Sequence, residues 1–437
     1  MVTIRDKLAE RNAGGPEFKY IPNRILVEVG DGISISEISK LDIEEARERL
    51  DTRPVGGNVM SRVEDDLKRF NFNTKRLDNT GIIVAETDRL SDTLQSVKNS
   101  VDTFSDSVIK KINRLENNAR NRSNVTILDG FRPGLFNFQD SNAEEFEAKL
   151  RNELVGDIYN PLTDAIEELS NVVSAQVSYS VNTPGPRNLG INPFDSKHDV
   201  TDESDAPNLG DVNKKIGVDK AWQIDTGEDV VIAIFDTSFC KDLVESDRVI
   251  DTFYGDDVDS AYAAPDEGHG TMTAYSAGGN AEDTKGNDQD AETDAPTLNY
   301  SGVAKDAELL LARLSNSSGQ LVYTVEAWDW LANWIKSLDK PVISNHSYGV
   351  PVCSGRGMNL CDTIEASLSD ALSKRDDHQA VYAAGNEAQY CGHRLSGITN
   401  GIAGVNSKSS SLSIGAFRYD IGGAQSYSSH GFGTCGS

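Results

Sequence analysis

The chain has 437 residues with 42 basic and 69 acidic side chains, a formal charge of −27, and its length allows two or three domains with separate cores. From Asp211 onward 16 basic residues stand against 33 acidic ones, and residues 1–210 hold 26 and 36, so the acidity belongs to the whole chain. Such a surface repels phosphates and excludes nucleic acid as the main partner, and no run approaches the ~18 apolar residues of a membrane span. Met1–Lys7 lacks the apolar stretch of a secretory signal. The expected protein is soluble, and extracellular or particle-associated rather than cytoplasmic.

Residues 1–20 read as a loose polar arm. A strand follows over Ile21–Val29, then helical patterns over 36–53 and Ser61–Phe70, where Val63, Leu67 and Phe70 share one face. Arg76–Thr87 predicts a strand containing Gly81–Ala85, and Leu94, Val97, Val101 and Phe104 mark a helix over 91–104. Residues 105–170 are mostly helical by pattern, and Val172–Val181 alternates as a strand. Residues 1–181 therefore predict an α+β domain with helical insertions. Asn182–Leu209, with Pro184, Pro186, Pro193 and Pro207 among many acids, reads as a linker, so residues 182–210 separate two domains.

Over 211–437 the pattern changes. Short apolar strands at Val230–Phe235, Glu308–Leu314, Pro341–Ser344, Gln379–Ala383 and Leu412–Ala416 alternate with helices at His269–Ala277, Thr324–Leu338 and Thr363–Lys374. That alternation predicts a doubly wound parallel α/β sheet, whose ligands gather at the C-terminal strand ends. The run Val230–Phe235 reads as a strand covered on both faces, yet it ends on Asp236, a carboxylate that needs a hydrogen-bond donor there. Gly268-His269-Gly270-Thr271 opens a helix. Its imidazole suits proton exchange near neutral pH, although a histidine between glycines serves equally as a turn residue. Asn386, after Ala383-Ala384-Gly385, offers an amide of the kind that stabilises an oxyanion, or simply a turn.

Eight segments in order resemble the subtilisin-like serine proteases, the subtilases. They are Ile216–Trp222, Asp236-Thr237-Ser238, Gly268–Thr271, Ser301–Leu310, Ser344–Gly349, Ala383–Glu387, Ser413–Ala416 and Tyr427–Gly431. The resemblance implies that Asp236 orients His269, that His269 is the general base, and that Asn386 donates to the oxyanion. It also implies that Ser347, Tyr348 and Gly349 line the cleft and pair with an extended peptide. Ser238 departs from the glycine usual at that place. By the same resemblance residues 1–181 are similar to a propeptide that assists folding and inhibits intramolecularly, its junction falling within Asn182–Leu209; an unrelated adaptor domain is the alternative.

The family's nucleophile lies in a Gly-Thr-Ser motif well beyond the Ser-Ser-x-Gly block. Here Gly433-Thr434-Cys435-Gly436-Ser437 follows Ser429 too closely to supply it. The expectation is a serine endopeptidase precursor whose catalytic serine belongs to a segment not included here, inactive without it. The alternative is a catalytically silent protease fold acting as a binding component of a larger assembly. The family often binds structural calcium, and Asp256–Asp259 and Glu282–Asp294 could supply oxygens, or be solvated surface. Cys353 with Cys361, and Cys391 with Cys435, could form disulfides or remain thiols, leaving Cys240 alone.

Overall fold

The computed structural model describes residues 19–30, 33–52, 57–101, 104–122, 158–180, 209–262, 268–279, 301–317, 319–349, 363–385, 410–418 and 423–424. It divides into two compact units, one spanning Lys19–Ser180 and the other taking in Val181–Ser315 and Gly319–Ser437.

The first unit is an antiparallel sheet with helices. Its strands are β1 (Lys19–Val29), β2 (Asn73–Leu77), β3 (Ile82–Glu86) and β4 (Val172–Ser180), in the order β2-β3-β1-β4. The helices are α1 (Ile35–Ile38), α2 (Ile43–Thr52), α3 (Gly57–Arg69), α4 (Leu90–Val101), α5 (Asp106–Arg122) and α6 (Asn160–Glu167). Ile25, Val27 and Val29 alternate onto one face of β1 and join Met60, Val63 and Leu67 of α3 with Leu94 and Val97 of α4 in a single core. Two expectations are refined. The helix over 36–53 is two helices, the first closed by a capping box between Ser34 and Glu37. The single strand over Arg76–Thr87 is a hairpin, because polar Asn73–Leu77 pairs with β3 as the sheet's edge. An edge strand with mostly half-buried side chains shows little apolar alternation to read.

Among the described residues the second unit has a sheet of six strands, β5 (Val231–Asp236), β6 (Val249–Phe253), β7 (Glu308–Arg313), β8 (Val342–His346), β9 (His378–Ala383) and β10 (Leu412–Ile414). They are all parallel, in the order β10-β9-β8-β5-β7-β6, the doubly wound α/β sheet expected. β6 is not among the predicted strands, because Val-Ile-Asp-Thr-Phe is half-buried throughout and lacks the apolar run of its neighbours. A two-stranded ribbon joins β11 (Phe417–Arg418) to β12 (Gly423–Ala424). The helices among its described residues are α7 (Leu209–Ile216), α8 (Val218–Ala221), α9 (Lys241–Val244), α10 (Gly268–Gly278), α11 (Thr324–Ser337) and α12 (Ile364–Leu372).

β5 lies at the middle of this sheet, where the chain leaves for β6 and β7 on one side and returns to β8 on the other. Its two-residue period sends Ile232 and Ile234 into a core shared with Ala274 of α10. Asp236, two residues on, falls on that same α10-facing side. The opposite side places Phe235 against Trp328 of α11 at 5.3 Å between ring centroids.

Candidate active site

Asp236 ends β5 and is fully buried. A buried carboxylate needs donors, and three supply them. Thr237 donates its backbone N–H (2.7 Å) and its hydroxyl (3.2 Å) to Oδ1. The third donor is His269, whose Nδ1 lies 2.8 Å from Oδ1 and 3.0 Å from Oδ2. An ionised carboxylate only accepts, so Nδ1 carries the proton and the lone pair is left on Nε2. The His269 side chain is 36% exposed, leaving it open to exchange a proton with a bound molecule. Burial by itself lowers the imidazole pKa, but the hydrogen bond and the negative charge of Asp236 prevail and hold it above its ordinary value. The pair has the orientation and charge of an acid-supported general base.

The close approach of α10 to β5 depends on Gly270. A Cβ there would lie 2.3 Å from the Ser238 carbonyl oxygen and 3.1 Å from the Asp236 Cβ, so the flanking glycine of the Gly-His-Gly-Thr segment is required sterically. The next residue adds a tie, Thr271 Oγ1 accepting from the Cys240 backbone N–H at 2.8 Å. Ser238, the departure from the family pattern, is buried at the turn and leaves the Asp236–His269 pair formed.

The other expected site residues are placed as follows. Ser347, Tyr348 and Gly349 continue from the C-terminal end of β8. Ser347 Oγ accepts from Asn345 Nδ2 at 2.9 Å. The Tyr348 ring is 2% exposed, its hydroxyl 3.0 Å from His346 Nδ1 and donating to Glu365 Oε1 at 3.3 Å. Its side chain therefore anchors this segment from inside, and its backbone is what borders the strand ends. At β9, Gly385 adopts φ of 103°, a turn that favours glycine; Asn386, which follows it, lies outside the described residues. Among the described residues no cluster of three or more His, Cys, Asp or Glu side chains is arranged to hold a metal. Asp257 of the first suggested calcium segment accepts from the Tyr323 hydroxyl at 2.8 Å, and Glu282–Asp294 lies outside the described residues. Cys240 is a free thiol; Cys353, Cys361, Cys391 and Cys435 lie outside the described residues.

Residues 227–434 match the family model described as the Subtilase family. This part of the chain belongs to the subtilases. Among solved structures the chain is similar to the CspB protease of Clostridium perfringens, at 16% identity and a TM-score of 0.30, with 41% of each chain covered. It is also similar to the S41 psychrophilic protease, at 19% identity and a TM-score of 0.32, covering 48% of this chain and 60% of that one. A third is a cold adapted subtilisin-like serine proteinase, at 18% identity and a TM-score of 0.30, covering 48% and 62%. The chain thus spans from 41% to 62% of the lengths of these relatives. No curated protein matches it.

Behind the strand ends the subtilase unit buries a second histidine group, two members of which, Ser344 and His346, lie in the Ser344–Gly349 segment. Ser344 Oγ sits 2.9 Å from His378 Nε2 and 2.8 Å from His346 Nε2. One hydroxyl proton cannot serve two acceptors, so the serine donates to one ring and accepts from the other. His346 stacks between Trp328 and Tyr382, with centroids 4.6 Å and 4.4 Å away. Burial, with the neighbouring His378, drives the His346 pKa well below the ordinary range. Burial likewise lowers His378 to about 4, against the opposing pull of the Leu372 carbonyl and Asp377.

These directions set a pH dependence. For both buried histidines the unfolded chain binds protons first, so their stability contribution is intact above about pH 6.5 and is lost as pH falls below it, for His378 down to about 4. His269 has the opposite sign: its raised pKa adds stability below about 6.5 that disappears as pH rises through the folded value. Two fully buried rings outweigh one partly exposed one. All four tryptophans (222, 328, 330 and 334) fall in the second unit, so their fluorescence reports that unit alone. The urea midpoint read by tryptophan fluorescence is expected to drop between pH 7 and pH 5; an unchanged midpoint would contradict the neutral, buried state of the two rings.

Proposed function

We propose that the subtilase domain is the catalytic part of a serine endopeptidase precursor, in which His269 is the general base and Asp236 its orienting carboxylate. What supports this reading above all is the bifurcated contact of His269 Nδ1 with both oxygens of a buried Asp236. In this reading a serine outside the described residues loses its proton to His269 Nε2 as its oxygen attacks the peptide carbonyl. Asp236 stabilises the imidazolium, which then protonates the leaving amine, and water hydrolyses the acyl-enzyme by the same route in reverse. Asn386, placed just after the Gly385 turn, donates to the oxyanion. The backbone of Ser347–Gly349 pairs with an extended substrate peptide as an added strand. The first unit acts as the folding assistant and intramolecular inhibitor, released by cleavage within Asn182–Leu209.

The test is labelling by a fluorophosphonate of protein produced from the complete gene. One modified serine is expected, with labelling lost in His269→Ala. A complete, folded protein that takes no label would instead support a catalytically silent fold that binds a partner.

A further inference from the structure

The Asp236–His269 pair joins two segments that are 33 residues apart in sequence, and something must hold both at once. At the end of β7, Arg313 stands directly beside Asp236 in the parallel register. Its side chain is 8% exposed. Through Nη1 it donates to the backbone carbonyls of Ser260 (3.2 Å) and Tyr262 (2.6 Å), on the chain that leads into α10 and His269. Through Nε it reaches the carbonyl (3.3 Å) and hydroxyl (3.1 Å) oxygens of Ser315. Ser315 Oγ in turn donates to the Thr237 carbonyl at 2.6 Å, the residue whose N–H and hydroxyl orient Asp236. The two segments also touch directly, the Phe239 N–H donating to the Ala261 carbonyl at 3.2 Å. The geometry points to Arg313 as the positioning residue of the catalytic pair: one buried guanidinium fastens the segment before His269 and, through Ser315, the turn after Asp236.

Arginine suits this place because its planar fork presents five donors in fixed directions and can reach carbonyls of two chain segments together. Lysine keeps the charge and part of the donor set, whereas methionine keeps only the stem. A loosened clamp lets the turn and the helix separate, and small displacements of a reacting pair are costly.

The inference rests on the Asp236–His269 reading, but its test is an equilibrium property of that pair and needs no turnover. In the full 437-residue chain, the low-field Nδ1–H resonance and the titration midpoint of His269 are followed by NMR. Assignment comes from His269→Gln, and Asp236→Asn is the control that must abolish the resonance. Arg313→Met is expected to lose the resonance and lower the midpoint while tryptophan fluorescence and circular dichroism stay native, and Arg313→Lys to retain both in part. A folded Arg313→Met with parental resonance and midpoint overturns the assignment. If Arg313→Met does not fold, Ser315→Ala decides: it removes the hydroxyl through which Arg313 Nε is tied to the Thr237 carbonyl and leaves the Nη1 contacts in place, and a parental His269 midpoint in it overturns the proposal, whereas a lowered one supports it. Failure of the protease reading would look different, as missing fluorophosphonate labelling with the resonance and its dependence on Arg313 intact.

Discussion

Exchanging Asp236 for asparagine is expected to lower the His269 pKa below the ordinary imidazole value and to slow peptide hydrolysis by about 10⁴-fold. The direction follows from the competing influences on the ring. Burial lowers its pKa, and only the hydrogen bond and charge of Asp236 raise it; with the charge removed, at most a weaker, neutral hydrogen bond opposes burial. Asparagine fits the same space, so Thr237 can still donate to its carbonyl oxygen, but the amide presents no negative charge to an imidazolium and can favour the wrong tautomer. The pKa shift is measured by histidine NMR titration, and the rate by kcat/KM on a peptide substrate. A midpoint at or above that of the parent would mean that Asp236 does not support His269.

The second large effect is structural. Trp328 is fully buried in α11 and contacts Phe235 at 5.3 Å, His346 at 4.6 Å and His378 at 5.9 Å between ring centroids. It is therefore the piece that packs α11 against β5, β8 and β9 together. Trp328→Ala is expected to cost about 3–5 kcal/mol, seen as a fall of roughly 10 °C in Tm for a unit of this size. The cost comes from lost transfer free energy and from the cavity left between three strands that cannot close over it. Its indole N–H has no hydrogen-bond partner among the described residues, so Trp328→Phe removes no bond and is expected to cost clearly less than the alanine change. Equal losses for the two would show that packing at this position is not what holds the helix.

Both expectations concern residues that were unequally legible. Asp236 could be read because a carboxylate closing an unbroken apolar strand is an anomaly, and His269 because glycines on either side permit close backbone approach. Trp328 was one apolar residue among several in a helical pattern, with nothing to say that it would meet two histidines. Tyr348 was placed at the cleft by its motif, yet its ring turns inward to His346 and Glu365. Arg313 carries a comparable signal: a cation closing the apolar run of β7 is the same kind of anomaly as Asp236 closing β5.

The division has a physical cause. Periodicity and unbroken apolar runs reflect how each segment meets the core, so the chain alone determined a parallel α/β unit after an α+β one, together with the identity of the carboxylate and the imidazole. Edge strands such as β2 and β6 bury too little on either face to leave that trace, and they appear only once neighbours supply hydrogen bonds. Which buried groups face one another depends on strand order. The crossing from β7 to β8 over β5 puts Arg313 on one side of Asp236 and His346 on the other side of Phe235, and no local pattern encodes that placement. Tertiary structure alone decided it, because residues far apart along the chain become neighbours only through the register of strands between them.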